Sequence, residues 1–235
     1  MKILITGASG FIGSFIVEHA LSEGMEVWAG IRSTSSHRYL NDDHIHFIEL
    51  DFDNPEKLNK QLLSHFSING KWDYIVHAAG ATKCLHRKEF FQTNTLGTKN
   101  LMKALIACDM TPKMFVYISS LSIFGPVREQ QPYTDIMDLD TPMPDTAYGE
   151  SKLKSEEFLD MFENFPHIIL RPTGVYGPRE KDYFMMAKSI KGHTDIAVGY
   201  KPQELTFVYV LDLVQAVFLA LKRGKRGKKY FVSDG

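Results

Sequence analysis

Cysteine is scarce. The 235 residues hold only Cys84 and Cys108, and they form no CxxC pair. That argues against a disulfide scaffold and makes a reduced, cytosolic setting the default. Long apolar runs are also missing: nothing approaches the roughly 18 residues that a spanning helix needs. The opening residues, MKILITGASGFIG, are too short in their apolar stretch, and too broken by glycine, for a signal peptide. Neither sign of charge dominates. Lys and Arg total 27 against 28 Asp and Glu, a formal net charge of −1, which argues against bulk attraction to nucleic acid. There is no internal repeat, low-complexity tract or Gly/Ser-rich linker. What is present is a 44% share of hydrophobic residues, enough for a sizeable core in one large domain or two small ones.

Short apolar runs alternate with helical patterns. KILIT at 2–6, EVWAGI at 26–31, IHFIEL at 45–50, DYIVHA at 73–78, KMFVYIS at 113–119 and IILR at 168–171 read as strands, with KYFV at 229–232 a seventh. Helical spacing covers 12–22, 55 to about 65, 88–108 and 146 to about 162. Asn54 with Pro55 opens the second of these, and Asp145 or Thr146 caps the last. Asp212, after the run 206–210, is expected to cap a following helix. Strands joined by helices predict an α/β fold, a doubly wound parallel sheet of Rossmann type. The longest irregular stretch, 125–146, carries four prolines and several acids, and is expected to border a substrate cleft.

Gly7, Gly10 and Gly13 follow the first strand and open the first helix. This is the context in which glycines permit close backbone approach to a pyrophosphate at a helix N-terminus. Phe11 and Ile12 stand at the helix start. NAD binding calls for a carboxylate at the end of the second strand, to meet the ribose 2′-hydroxyl. Arg32 and Ser33 stand there instead, and a guanidinium suits the 2′-phosphate of NADP. NADP is therefore favoured over NAD, against the plainer reading of a surface arginine.

Further segments fall in a fixed order. They are Asp51-Phe52, His77-Ala78-Ala79-Gly80, Asn94 with Leu96-Gly97-Thr98, Ser119-Ser120 with Phe124-Gly125, Tyr148 with Lys152, and RPTGVYGPR at 171–179. With the glycine loop they resemble the extended short-chain dehydrogenase/reductase family, which includes NAD(P)-dependent sugar epimerases and dehydratases. The resemblance spans nearly the whole chain. It implies that Gly7, Gly10 and Gly13 line the pyrophosphate and that Asp51 and Phe52 border the adenine. Ala78, Ala79, Gly80 and Ser119 would pass near the dinucleotide, with Pro172 near the nicotinamide. Asn94 would steady the site through the main chain. Ser120, Tyr148 and Lys152 would carry the chemistry. Residues four apart on a helix share a face, so an ammonium at 152 is expected to make the Tyr148 phenol acidic and to bond the nicotinamide ribose. Ser120 would orient the substrate oxygen whose proton Tyr148 exchanges.

The same resemblance narrows the reaction. Sugar 4,6-dehydratases carry an Asp-Glu pair where Leu121-Ser122 stands, so dehydration is disfavoured. Many 4-epimerases place a diphosphate-binding asparagine after the sixth strand, and 171–176 holds none. RPTGVYGP with Arg32 also resembles the dihydroflavonol reductase-like and 3β-hydroxysteroid dehydrogenase-like branch. The expectation is reversible hydride transfer at a hydroxyl-bearing carbon, on a nucleotide sugar or a related small carbonyl compound. An NADPH-dependent carbonyl reductase and a non-catalytic NADP-binding sensor are the alternatives. Thr82 is expected on the substrate side. Arg179 either grips a diphosphate or is a solvated loop arginine. The expected dinucleotide-binding domain is 1–175 with 206–235, and 176–205 a remnant of a substrate lobe whose last helices the chain lacks. Family members often dimerise through a helix bundle that includes the Tyr–Lys helix, so a homodimer is among the implications. Neither nucleic acid nor membrane is an expected partner. His44 and His46 have no third ligand near in sequence, so no metal is expected. His77 is assigned loop support. The basic run 221–229 is assigned to a solvated helix end.

Overall fold

The computed structural model describes residues 1–126, 134–194 and 205–234. Part of the irregular stretch 125–146 and about a third of the supposed lobe remnant, 195–204, lie outside those residues.

The core is a seven-stranded sheet. Its strands are β1 (Lys2–Thr6), β2 (Glu26–Ile31), β3 (Ile45–Glu49), β4 (Tyr74–His77), β5 (Met114–Ile118), β6 (His167–Pro172) and β9 (Lys229–Val232). They lie in the order β3-β2-β1-β4-β5-β6-β9, every neighbouring pair parallel. The central ones are apolar almost throughout because helices cover both faces. Alternation sends their side chains to two separate cores. Ile3, Ile5 and Val116 meet Ile16, Val17 and Ala20 of α1 (Phe11–Ser22), with Val214, Val217 and Phe218 of α7 (Val210–Arg223). Leu4, Ile75 and Phe115 meet Leu58 and Leu62 of α2 (Pro55–Asn69) and Leu101 and Leu105 of α4 (Gly97–Ala107). Leu159 of α5 (Ala147–Asp160) joins this second core. Asn54 caps α2 by accepting from the Lys57 amide at 3.0 Å, with Pro55 in the first turn.

Three segments differ from the sequence reading. The helix expected over 88–108 is broken into α3 (Arg87–Phe90), a π-helical turn (Phe91–Leu96) and α4. Apolar periodicity alone does not register a one-residue widening of the turn. The region after β6 is not merely a loop. It forms β7 (Gly174–Tyr176) and α6 (Asp182–Lys191), and β7 pairs in parallel with β8 (Phe207–Tyr209). These strands are three residues long, below the length at which alternation is readable. Asp212 does not cap α7. Tyr209 holds that position without a side-chain bond, and Asp212 lies in the first turn, where a carboxylate suits the helix dipole.

Candidate active site

The glycine loop lies where β1 meets its two neighbours, β2 and β4, the point at which strand order reverses. Gly7 sits at φ +68, and a Cβ there would lie 2.7 Å from the Ala79 amide nitrogen. A Cβ on Gly13 would run into the Gly7 carbonyl. Both glycines are therefore required for this close backbone approach. Gly10 donates to the Gly7 carbonyl at 2.9 Å and begins α1 without a side-chain cap, leaving first-turn amides available beside Phe11 and Ile12. These residues fit a dinucleotide: a cradle that any side chain would fill, at the positive end of a helix. Ala78 and Ala79 run along the opposite rim. The Ala79 amide donates to Thr6 Oγ1 at 3.3 Å. His77 links the end of β1 to α4, with Nδ1 2.7 Å from Thr6 Oγ1 and Nε2 3.0 Å from Thr98 Oγ1. Burial pushes its pKa down to about 3, so it stays neutral.

Asp51 and Phe52 follow β3. Phe52 sets its ring edge-on to His77 at 5.7 Å, and the Asp51 carboxylate takes the Lys57 ammonium at 3.1 Å, which holds it below its usual range. Arg32 and Ser33 are exposed just past β2.

Asn94 and Lys152 converge on Gly80, where a Cβ would stand 3.1 Å from Asn94 Oδ1 and 3.3 Å from Lys152 Nζ. The Asn94 amide oxygen accepts from the Ala81 N–H at 2.7 Å. Its nitrogen donates to the Ala81 carbonyl at 3.0 Å and to Ser151 Oγ at 2.9 Å. Asn94 lies in the π turn, and its carbonyl accepts from Thr98 Oγ1 at 2.6 Å and Ser155 Oγ at 3.0 Å. It thus ties the loop after β4 to α5.

Lys152 is buried. It donates to the Ile118 carbonyl at 2.8 Å and lies 4.8 Å above the Tyr117 ring. Burial lowers its pKa to about 8, partly countered by Glu156 one turn on. Tyr148, half-buried in the first turn of α5, meets the Phe90 ring edge-on at 6.3 Å. Burial pushes its phenol above the usual value, and the Ser120 hydroxyl beside it acts in the opposite direction. The acidic phenol expected from the Tyr–Lys spacing is thus not what this structure holds. Desolvation dominates at the phenol, and the Lys152 ammonium is committed to the Ile118 carbonyl. Ser120 caps the short turn Leu121–Ile123, accepting from the Ser122 amide at 3.1 Å.

The remaining expected positions lie on other elements. The Ser119 hydroxyl turns inward to Glu156 Oε1 at 2.5 Å. Pro172 ends β6, buried beside Val232. Thr82 is exposed in the loop after β4. Arg179 is neither free nor solvated. It donates to Ser14 Oγ at 2.9 Å, pairs with Glu18 at 2.5 Å, and lies between the rings of Phe15 and Tyr39 at 4.1 and 4.6 Å. His46 stacks on Trp28, His44 bonds Asp42, and Lys222 and Lys229 of the basic run pair with Glu23 and Asp160.

Two features escaped the sequence reading. Gly149 lets α5 press onto the Ser120 turn, since a Cβ would collide with the Ser122 carbonyl and stand 3.1 Å from Pro144 Cβ. A glycine in the first turn of a helix was the available signal. The second is a fully buried Glu156, which takes Arg171 through three contacts at 2.7 to 3.2 Å. An arginine ending an otherwise apolar strand was its mark.

A parallel sheet in this order, with a glycine cradle at its first crossover, defines a dinucleotide-binding fold. The model of the NAD dependent epimerase/dehydratase family matches residues 3–233, and the chain belongs to that family of enzymes. It is 26% identical over 258 residues to a dTDP-glucose 4,6-dehydratase of Xanthomonas campestris, covering 97% of this chain and 70% of the relative. It is 29% identical over 254 residues to a 3-beta-hydroxysteroid dehydrogenase of Mycolicibacterium neoaurum, covering 100% and 66%. The solved UDP-glucose 4-epimerase of Thermus thermophilus, in complex with NAD, superposes with a TM-score of 0.82 at 25% identity, covering 100% of this chain and 78% of that one. Among the described residues, no helix is long and apolar enough to cross a membrane.

Proposed function

We propose that the protein catalyses reversible hydride transfer at a hydroxyl-bearing carbon of a nucleotide sugar, with Ser120, Tyr148 and Lys152 as its catalytic residues. The convergence of Asn94 and Lys152 on Gly80, beside the glycine cradle, carries this reading. Gly7, Gly10, Gly13 and the rim Ala78–Gly80 would hold the dinucleotide, with Asp51 and Phe52 at the adenine and Pro172 at the nicotinamide. When bound, that cofactor supplies the acceptor and donor of hydride. The chain's own groups handle the proton. Ser120 orients the substrate oxygen, and Tyr148 removes or returns its proton. A phenol that burial holds protonated is suited to donating one. Lys152, anchored on the Ile118 carbonyl, presents its remaining N–H groups toward the ribose. Asn94 fixes the spacing between these parts.

Relatives named as dTDP-glucose 4,6-dehydratase and putative UDP-glucose 4-epimerase support the substrate class. Leu121 and Ser122 offer no carboxylate for eliminating water, so epimerisation or oxidoreduction is favoured over dehydration. A carbonyl reductase is the second reading, carried by the likeness to the 3-beta-hydroxysteroid dehydrogenase. Stoichiometric consumption of NADPH distinguishes it from an epimerase, which returns the hydride. Residues 176–205, rooted on the β7–β8 pair, are read as part of a substrate lobe. A cytoplasmic homodimer is the proposed setting.

Replacing Tyr148 by Phe should lower kcat by about 10²–10⁴-fold, the usual worth of a positioned acid–base group. Unchanged turnover in a folded Tyr148→Phe protein would sink the assignment. NADP is the proposed cofactor because Arg32 and Ser33 are exposed where a 2′-phosphate would lie. Arg32→Ala should weaken NADPH binding by roughly 10- to 100-fold, the worth of a charged hydrogen bond, and leave NADH unchanged. Fluorescence titration with both nucleotides checks it.

A further inference from the structure

The first turn of α6 is fixed from two sides. The Glu180 carboxylate accepts from the amides of Asp182, Tyr183 and Phe184 at 2.6, 2.7 and 3.1 Å. Lys83 pairs with Asp182 at 2.5 Å, which ties the helix to the loop that follows Gly80 and Thr82. Phe184, Met185, Met186 and Ile190 of this helix are exposed, whereas Tyr183 is half-buried. Its ring meets Phe207 edge-on at 5.0 Å. Its hydroxyl stands over Gly174, 2.7 Å from where a Cβ would be, at the carboxyl end of β6 where ligands of such sheets bind. Among the described residues the Tyr183 hydroxyl has no hydrogen-bond partner. Its influence reaches Tyr148, whose phenol it pushes further up.

We infer that Tyr183 is a specificity-determining residue whose hydroxyl bonds a ring hydroxyl of the sugar, on the substrate side of Ser120 and Tyr148. This rests on the nucleotide-sugar reading. The ring packs on Phe207 and sets the position, and the hydroxyl supplies the recognition. Gly174 leaves room for both groups, since a Cβ there would stand 2.7 Å from the Tyr183 hydroxyl and 2.9 Å from Phe207 Cδ1.

Binding of UDP-glucose and of UDP to the full chain, saturated with NADP and in parallel with NAD, followed by calorimetry, tests the inference. Tyr183→Phe keeps the ring and removes only the hydroxyl. It should weaken UDP-glucose about five- to tenfold, the worth of one uncharged hydrogen bond, and leave UDP, NADPH and NADH unchanged. In turnover the loss should fall on KM, with kcat within about twofold. Gly174→Ala, which displaces the hydroxyl and the Phe207 ring that positions it, should weaken UDP-glucose at least as much. Unchanged UDP-glucose affinity in Tyr183→Phe, or equal weakening of UDP and UDP-glucose, overturns the role while leaving the nucleotide-sugar reading intact. Wild-type protein that binds neither ligand overturns both.

Discussion

Lys152 lies among apolar groups with a single carbonyl to receive its protons, and its charge is the switch on which the pH behaviour turns. Its pKa falls from the ordinary value of 10.5 to about 8. Below pH 8 it is an ammonium in the folded and unfolded chain alike. Between about 8 and 10.5 the fold holds it neutral while the unfolded chain still binds the proton. Stability from this group therefore rises through that window. Activity that depends on the cation falls through the same window, so kcat/KM should drop above about pH 8 while the urea midpoint climbs. Lys152→Met should abolish the climb. A midpoint that rises as steeply in the variant would assign the effect elsewhere. The residue types were legible in the sequence: Tyr148 and Lys152 at helical spacing, and glycines after an apolar strand. Their electrostatics were not, because desolvation is a property of what packs around a group. The same holds for Ser119, whose hydroxyl is claimed by a carboxylate 37 residues further on.

At the scale of elements, α5 matters through the turn it presses upon. Gly149 lets it approach the Ser120 turn to backbone contact. Alanine would gain about 1 kcal/mol of helix propensity but must displace the Ser122 carbonyl, an overpacking cost of about 1–3 kcal/mol. Gly149→Ala should thus be destabilised in urea or nearly neutral. Its kcat should fall well beyond what stability accounts for, since the Ser120 turn moves. Retained kcat would show that the turn tolerates the shift. The long strands were readable from apolar runs because covered parallel strands have no polar face. The π turn was not, since its cause is tertiary. It frees the Asn94 carbonyl for hydroxyls on Thr98 and Ser155, one of them on another helix. Strands β7 and β8 escaped for want of length.

For the molecule as a whole, Glu156 is the tie between α5, the helix of the proposed catalytic pair, and the sheet. It takes Ser119 after β5, Arg171 of β6 and Lys229 of β9 at 2.5 to 3.5 Å, all from one buried carboxylate. Glu156→Ala leaves the Arg171 cation unpaired in the interior, and should cost about 3–5 kcal/mol in urea unfolding. Replacing Glu156 and Arg171 together by leucine should recover most of that, because an apolar pair carries no desolvation penalty. A double variant as unstable as the single one would show that the network to Ser119 and Lys229 matters more than the pair.

Arg179 makes a second tie of this kind. It follows β7 and ends in a cation–aromatic clasp formed by Phe15 of α1 and Tyr39 of the segment between β2 and β3, with Glu18 of α1 as its ion-pair partner. The helix that would greet a pyrophosphate and the segment that would greet a sugar therefore share one guanidinium as a hinge pin. Any tilt of the proposed lobe would be felt, through Phe15 and Glu18, in the helix proposed to face the cofactor's charge.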